Sequence, residues 1–384
     1  MTSTVEKALR VDWIEDEERF LELADAWDDL VAHEGLPFLR HAWFVAWWRA
    51  FGDGGRLRIC TARRADRLVA VFPLVRRGRR VEALANTQTP AFGPLAEDVE
   101  ALHAVTITAL EEGADSLVVP YLLAADPSLE LLERGSRQRG RLTLVQSQQR
   151  SPFVDLGEGF AAYAVQMDRK ARKDIERRRR KLEAETGAVV APVAVRDDLD
   201  AVLDRCFALE AKGWKGKRRT AIAHSRATVA FYRELAHLFA AEDRFRLSTI
   251  EAGGDLIAFD YTLVDHGRLW VLKGSYDERY RSYGPGLVLT LAEIRAASEL
   301  GLEGVELLGD EDPWKAKFST GVRDYRQLRS YRRRPAPLAE WAYRSAIRPR
   351  LRRAYRRLNG RPVANGDPGP APGAAACERP VTLG

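Results

Sequence analysis

Three β-rich runs, RFRLSTIEAG, LIAFDYTLVD and RLWVLKGSYD, stand in a row before an apolar helical stretch that opens at Gly284-Pro285-Gly286. A fourth run, GVELLG, follows that helix. The first two runs meet at Gly253-Gly254, a strong hairpin signal. A meander that passes into helix and then strand again buries its apolar faces in a mixed sheet with helices packed on them. Upstream lie the strand-like AVVAPVAV and two amphipathic patterns, DDLDAVLDRCFALEAKGW and SRATVAFYRELAHLFAAE. The acids that open the first of these suit the positive end of a helix. YRQLRSYRRR, after GVELLG, is expected to close the sheet.

The chain has 384 residues, too many for one ordinary core, so a second unit is expected ahead of this one. PFLRHAWFVAWWRAFG places Trp43, Trp47 and Phe51 at i, i+4 and i+8, with Trp48 beside them, which makes a helix with a heavy aromatic face. RLRICTARR and RLVAVFPLVRRG read as a hairpin or meander. A helix is expected near Val99–Glu112, a buried strand at Ser116–Leu123, a helix at Leu129–Arg137, and a strand in RLTLVQSQQRSPFVDL. The expected organisation is a first unit over 1–160, a basic linking helix over 161–187 capped by Gly187, and a second unit over 188–335. An Arg-rich amphipathic helix over 336–359 and a disordered Pro/Gly/Ala-rich tail over 360–384 follow.

Charge is concentrated. The chain carries a net charge of +6, yet nine Lys/Arg crowd Arg169–Lys181 and fourteen Arg crowd Arg323–Arg361, each with two acids, so the remaining body is acidic. Such segments face anionic lipid, RNA or a phosphorylated ligand, or form solvated helix faces. Cys60, Cys206 and Cys377 are too far apart in sequence to suggest a zinc site or a disulfide framework, and no metal is expected. No apolar run approaches the roughly 18 residues of a membrane span, and the N-terminus lacks the apolar region of a signal peptide. The expected location is cytoplasmic, with peripheral membrane contact through the Arg-rich helix, where docking onto the protein itself is the competing reading.

A helix mouth exposes unpaired N–H groups and a partial positive charge, and glycines let an anion approach. Gly284 and Gly286 flank Pro285, which suits a first helical turn and has no N–H to give. Backbone donation would come from Gly284, Gly286 and Leu287, with Arg279 and Arg281 beside them; a plain tight turn is the alternative. Asp310 and Glu311, just after GVELLG, are placed to act as a base or to hold an ammonium group, unless GDEDPW is merely a turn. Lys273 and Asp260 interrupt apolar strand runs and need partners if buried.

The stretch around these residues resembles the C-terminal half of a GNAT-type acyltransferase, and more narrowly the CelD/FemAB-like group. Lys273, Tyr276, Asp277 and Tyr280 match its first motif, Pro285-Gly286 its helix start, and Gly309, Asp310 and Lys315 its last, with Trp314 in place of tyrosine. PFLRHAWFVAWWRAFG and EAKGWKGK are similar to its other landmarks, so the likeness runs from about residue 12 to 335. It implies an α/β fold of two tandem GNAT-like units, each a mixed sheet flanked by helices, and transfer of an acyl group to an amine. Acetyl-CoA or another acyl-CoA would be co-substrate, its pyrophosphate at Arg279, Arg281, Gly284, Gly286 and Leu287. The loop Arg281–Gly286 fits the usual spacing except for its proline. Asp310, Tyr276 and Lys273 are the catalytic candidates; Asp260, Trp214, Glu311 and Lys315 are the substrate-binding ones. The acceptor is expected to be a small-molecule or glycan-precursor amine. Aminoacyl-tRNA as donor ranks lower, because the arginines of 169–181 do not line one stripe; a non-catalytic accessory role at the membrane surface is the third reading.

Overall fold

The computed structural model describes residues 8–31, 35–195, 197–213 and 221–351. In the first half, β1 (Leu9–Ile14), α1 (Glu17–Leu21), α2 (Ala24–Val31) and α3 (His41–Phe51) lead into β2 (Arg56–Arg64), β3 (Arg67–Arg77), β4 (Arg80–Ala83) and β5 (Leu95–Ala96). Then come α4 (Val99–Glu111), β6 (Ser116–Leu123), α5 (Pro127–Gln138) and β7 (Leu142–Asp155). Two helices, α6 (Gly159–Gln166) and α7 (Arg169–Thr186), connect to the second half. There β8 (Val189–Ala194), α8 (Leu199–Lys212), α9 (Arg226–Ala241), β9 (Phe245–Ala252), β10 (Asp255–Asp265) and β11 (Arg268–Tyr276) precede α10 (Pro285–Glu299), β12 (Gly304–Glu306), β13 (Gly321–Tyr331) and α11 (Pro335–Ala342). Where the sequence predicts one linking helix over 161–187 there are two, parted at the extended Met167; the Asp168 carboxylate caps α7 by accepting from Ala171 N, and Gly187 ends it at φ 64°.

The halves share one mixed, 13-stranded sheet in the order β1-β2-β3-β4-β6-β13-β7-β12-β11-β10-β9-β8, with β5 paired to β3. Each half repeats one plan: an antiparallel meander, then a short parallel pair bridged by a helix. The pairs are β4 with β6 across α4, and β11 with β12 across α10. The final strands trade places. β13 inserts between β6 and β7, and β7 supplies the neighbour of β12. The run YRQLRSYRRR therefore closes nothing at an edge; it lies at the centre of the sheet, against the first half. A strand's residues show its alternation but not its neighbours, which is why this pairing was not readable locally.

The larger core also crosses the halves. Phe38 meets Trp270 edge-on with ring centroids 5.2 Å apart, and Trp43 of α3 meets Phe231 of α9 at 5.3 Å. The aromatic face of α3 is thus core: Trp43 and Trp47 are buried, while Trp48 is half-buried. Beside it, buried Arg40 donates to Asp265 at 2.5 and 3.0 Å.

At the centre, fully buried Glu306 of β12 accepts from Arg268 of β11 (2.8 Å) and Arg323 of β13 (2.8 and 3.1 Å). Both guanidinium groups pack over the Phe153 ring of β7, at 5.8 and 4.6 Å. One carboxylate thus ties four strands from both halves. Removing it would leave two arginines facing each other in a sheltered site, which costs far more than a surface pair is worth. Glu306→Ala is expected to lower unfolding stability by about 3 kcal/mol in a chemical denaturation curve. That curve is expected to stay a single transition, since the halves share strands and core.

Candidate active site

The parallel pair β11–β12 is hydrogen-bonded over Arg268–Trp270 and Gly304–Glu306 only. Beyond the Glu306 clamp the strands separate. β11 continues through Tyr276 along one wall, and Leu307–Asp310 turns away along the other. Lys273 and Tyr276 therefore stand on one side of the split and Asp310 on the other.

The Asp310 wall is held by strained backbone. Leu308 and Gly309 adopt φ of 47° and 63°, and the buried Lys315 ammonium donates to the carbonyls of Leu308 and Asp310. Leu308 is a costly left-handed residue unless the surroundings hold it there. Lys315 is such a hold, and its ammonium points into this loop. Asp310 is not the acceptor of its own turn: its Oδ1 is buried without a hydrogen-bond partner. Burial pushes its carboxyl up, against the nearby Lys315 charge. Tyr121 of β6 lies close enough to feel the Asp310 charge, and it too is held at positive φ, 57°, with its N–H given to Gln148. Glu311 pairs with Arg150 at 2.7 Å near the surface.

On the other wall, Lys273 has its ammonium 5.4 Å from the Tyr232 ring centroid, and Tyr232 donates to Gln88 of the first half. Asp260 faces the opposite side of the sheet. A side chain at Gly274 would place its Cβ 1.7 Å from Asp260 Oδ1, so the Asp260 carboxyl fills the space that glycine leaves on the wall of the split. Lys273 and Asp260 thus lie on opposite faces of the sheet. Tyr276 is partly exposed at the end of β11, its ring 3.6 Å from where a Cβ of Gly286 would stand. Trp214 lies outside the described residues, as does the chain beyond residue 351.

The helix mouth itself sits at that end of β11. A 3₁₀ turn over Glu278–Tyr283 intervenes before Gly284, which adopts φ 60°, ψ 52° as N-cap of α10. No side chain caps this helix. The Gly284 N–H is spent on Arg281 O at 3.1 Å, so it is not a donor to a ligand, contrary to expectation. Val288 N–H already bonds Gly284 O, which leaves Gly286 and Leu287 as the outward donors of the first turn. Arg279 is also less available than expected: it is bound to Asp277 at 2.7 and 2.9 Å and holds that carboxyl low. Arg281 is exposed at the mouth. A cation that the sequence did not single out joins it. Arg178 of the linking helix reaches the turn, donating to Ser282 O at 3.0 Å, with its Nη1 3.6 Å from the Cβ position of Gly284.

The equivalent helix of the first half is built differently. Asp98 caps α4 by accepting from Ala101 N at 2.9 Å, and Arg64 binds both Asp98 and Glu100. There the protein's own carboxylate occupies the place where an anion would settle. Of the two related mouths, only that of α10 is open.

The structure also reveals Glu293, on the core face of α10, a residue that an apolar helix pattern gave no reason to notice. It is completely buried, neither oxygen has a donor in full hydrogen-bond geometry, and Ser248 and Asp260 are the polar groups that meet it. Burial pushes its carboxyl up to about 7.

Residues 169–316 match the model of the acetyltransferase (GNAT) domain. That stretch runs from the linking helix through the split and its strap at Lys315. Over those residues the chain is similar to the GNAT acetyltransferase domain. No curated protein gives a significant match. Among solved structures the chain is similar to FemX, with 10% identity over 83% of this chain and 97% of that one, TM-score 0.53. It is also similar to a lysylphosphatidylglycerol synthetase C-terminal domain from Agrobacterium fabrum, with 14% identity over 84% and 96%, TM-score 0.53. A conserved protein of unknown function from Bacteroides thetaiotaomicron gives 11% identity over 84% and 100%, TM-score 0.55. At these identities the likeness is one of fold, and its near-complete coverage includes the first half as well as the GNAT-like domain.

A carboxyl raised from its unfolded value keeps its proton longer in the folded state, so stability falls as pH rises from the unfolded value through about 7. Glu293→Gln removes that ionisation. The variant is expected to melt a few degrees above the wild type at pH 8 and to lose the advantage near pH 5, read from melting temperatures across that range.

Proposed function

We propose that this chain is an acyl-CoA-dependent N-acyltransferase. The observation that carries this reading is the uncapped, glycine-opened mouth of α10 standing over the β11–β12 split, while its first-half counterpart is closed by Asp98. The residues suit a diphosphate: two outward N–H groups at Gly286 and Leu287 and the exposed guanidinium of Arg281, while Arg178, itself paired with Asp174, braces the turn at Ser282 O. A linear thioester arm would follow β11 past Gly274, whose missing side chain leaves Asp260 as the wall.

In the reaction, the acceptor amine attacks the thioester carbonyl, a C–N bond forms and the C–S bond breaks. Asp310 accepts the proton from the amine; burial raises its affinity for protons, in the direction a general base needs. Tyr276, beside the mouth, supplies a proton to the departing thiolate. Lys273, over the Tyr232 ring, lies where the split meets the first half and helps orient the acceptor. Glu311 stands at the rim. The acceptor class is an amine of an amino sugar or an envelope or polysaccharide precursor. Aminoacyl-tRNA ranks lower as donor because much of the charge of α7 is already engaged: Arg177 and Arg178 with Asp174, Arg179 with Glu183, and Lys181 with Glu185.

Two measurements test this. Acetyl-CoA is expected to raise the melting temperature of the full chain. Gly286→Asp gives α10 a carboxylate like that of α4, which favours the helix but competes with a phosphate, so it is expected to abolish the shift while leaving the unliganded melt intact. No shift with acetyl-CoA or longer acyl-CoAs would remove the donor from this reading. With a panel of amino sugars as acceptors, Asp310→Asn is expected to cut CoA thiol release by about 100-fold or more without changing the acetyl-CoA shift.

A further inference from the structure

The C-terminal part of the described chain has two ends of opposite character. α11 is docked. Pro337 is buried, Trp341 Nε1 donates to Thr143 O at 3.2 Å, and Glu340 gathers Arg80, Arg329 and Arg344. Immediately afterwards the helix widens into a π turn over Tyr343–Ile347 and continues to Leu351. Tyr343, Ile347 and Leu351 follow at spacings of four, which places them along one face. They are 46%, 48% and 56% exposed. Ala342, Ala346 and Arg350 are exposed with them. Sequence alone left it open whether this segment folds back onto the protein. The first turns do, and the apolar face beyond Ala342 does not.

We infer that the face formed by Tyr343, Ile347 and Leu351 docks the protein onto an anionic lipid surface. Charge selects this occupant. Between Arg326 and Leu351 the sole acid is Glu340, already engaged, while Arg348 and Arg350 accompany the apolar face. The sequence goes on with Arg352, Arg353, Arg356, Arg357 and Arg361 before its next acid, Asp367. A second copy of the chain would bring the same positive charge against this surface. An anionic bilayer accepts both components, since apolar side chains enter the headgroup boundary and arginines remain beside the lipid phosphates. Among the described residues no helix is long and apolar enough to cross a membrane, so the contact is peripheral.

The test needs neither acyl donor nor acceptor and is therefore independent of the proposed reaction. Full-length protein is sedimented with vesicles of phosphatidylcholine alone and with vesicles containing phosphatidylglycerol. Binding is expected only to the latter and is expected to weaken with added salt. A variant with Tyr343→Glu, Ile347→Glu and Leu351→Glu together is expected to bind about tenfold more weakly or worse, with an unchanged melting temperature because these side chains are exposed. Wild-type affinity in that variant, absence of binding to phosphatidylglycerol vesicles at low salt, or a dimer in solution that the variant abolishes would each overturn the assignment.

Discussion

The buried carboxylate of Glu306 sets the geometry on which the site depends. It ends the hydrogen-bonded part of the β11–β12 pair and binds the adjacent β11 through Arg268 and, across β7, β13 through Arg323. A parallel pair that continued would leave no gap, and a pair without the clamp would have no fixed point at which to part. Because the ion pairs are formed between two strands of the GNAT-like domain and the strand that crosses into the first half, the opening of the cleft and the joining of the halves are one structural event. Asp310 follows four residues later, and its placement is inherited from that junction.

The internal repeat explains the difference between the two helix mouths. Both halves place a helix N-terminus beside a short parallel pair, and that geometry alone concentrates positive potential. In α4 the potential is satisfied internally by Asp98, which Arg64 in turn holds. In α10 the capping position is a left-handed glycine with nothing to donate or accept from a side chain, and the neighbouring cations come from outside the helix. Such a mouth is slightly less stable than a capped one, by about 0.3 kcal/mol when the N-cap is glycine. A ligand that supplies the missing negative charge restores the loss. One copy of the plan has become structural, and the other has kept the property that suits an anion.

Local sequence made most elements legible. The hairpin at Gly253-Gly254, the capped basic helix ending at Gly187 and the strand Ser116–Leu123 all carry turn, cap or period signals within a few residues. The resemblance named Gly284 and Gly286 as cofactor-binding candidates and Asp310 and Lys273 as catalytic ones. What escaped was pairing at a distance. The central position of β13 depends on which edge is available, not on its own residues. The loss of the Gly284 N–H to Arg281 and of Arg279 to Asp277 depends on a 3₁₀ turn whose sequence, ERYRSY, reads equally well as an irregular loop. Arg178 is one arginine among many in its helix, and only tertiary packing distinguishes it. Glu293 is a single acid in an apolar helix, where sequence gives no hint of whether it points inward.

The linking helix then acquires a role beyond connection. Its Leu182 and Ile175 are buried against the sheet and α10, fixing its register. Tyr283 of the 3₁₀ turn donates to Glu185 at 2.8 Å and lies under Lys181, so the turn leans on the helix along its length. Arg178 closes this contact from above. A glycine at φ 60° held only by its own turn would sample other conformations, because glycine lacks the side chain that restricts them. Buttressed by α7, it keeps the first N–H groups of α10 aimed outward. The basic character of α7 thus has a specific consequence at one arginine, while Arg177, Arg179 and Lys181 pair with acids along the helix surface.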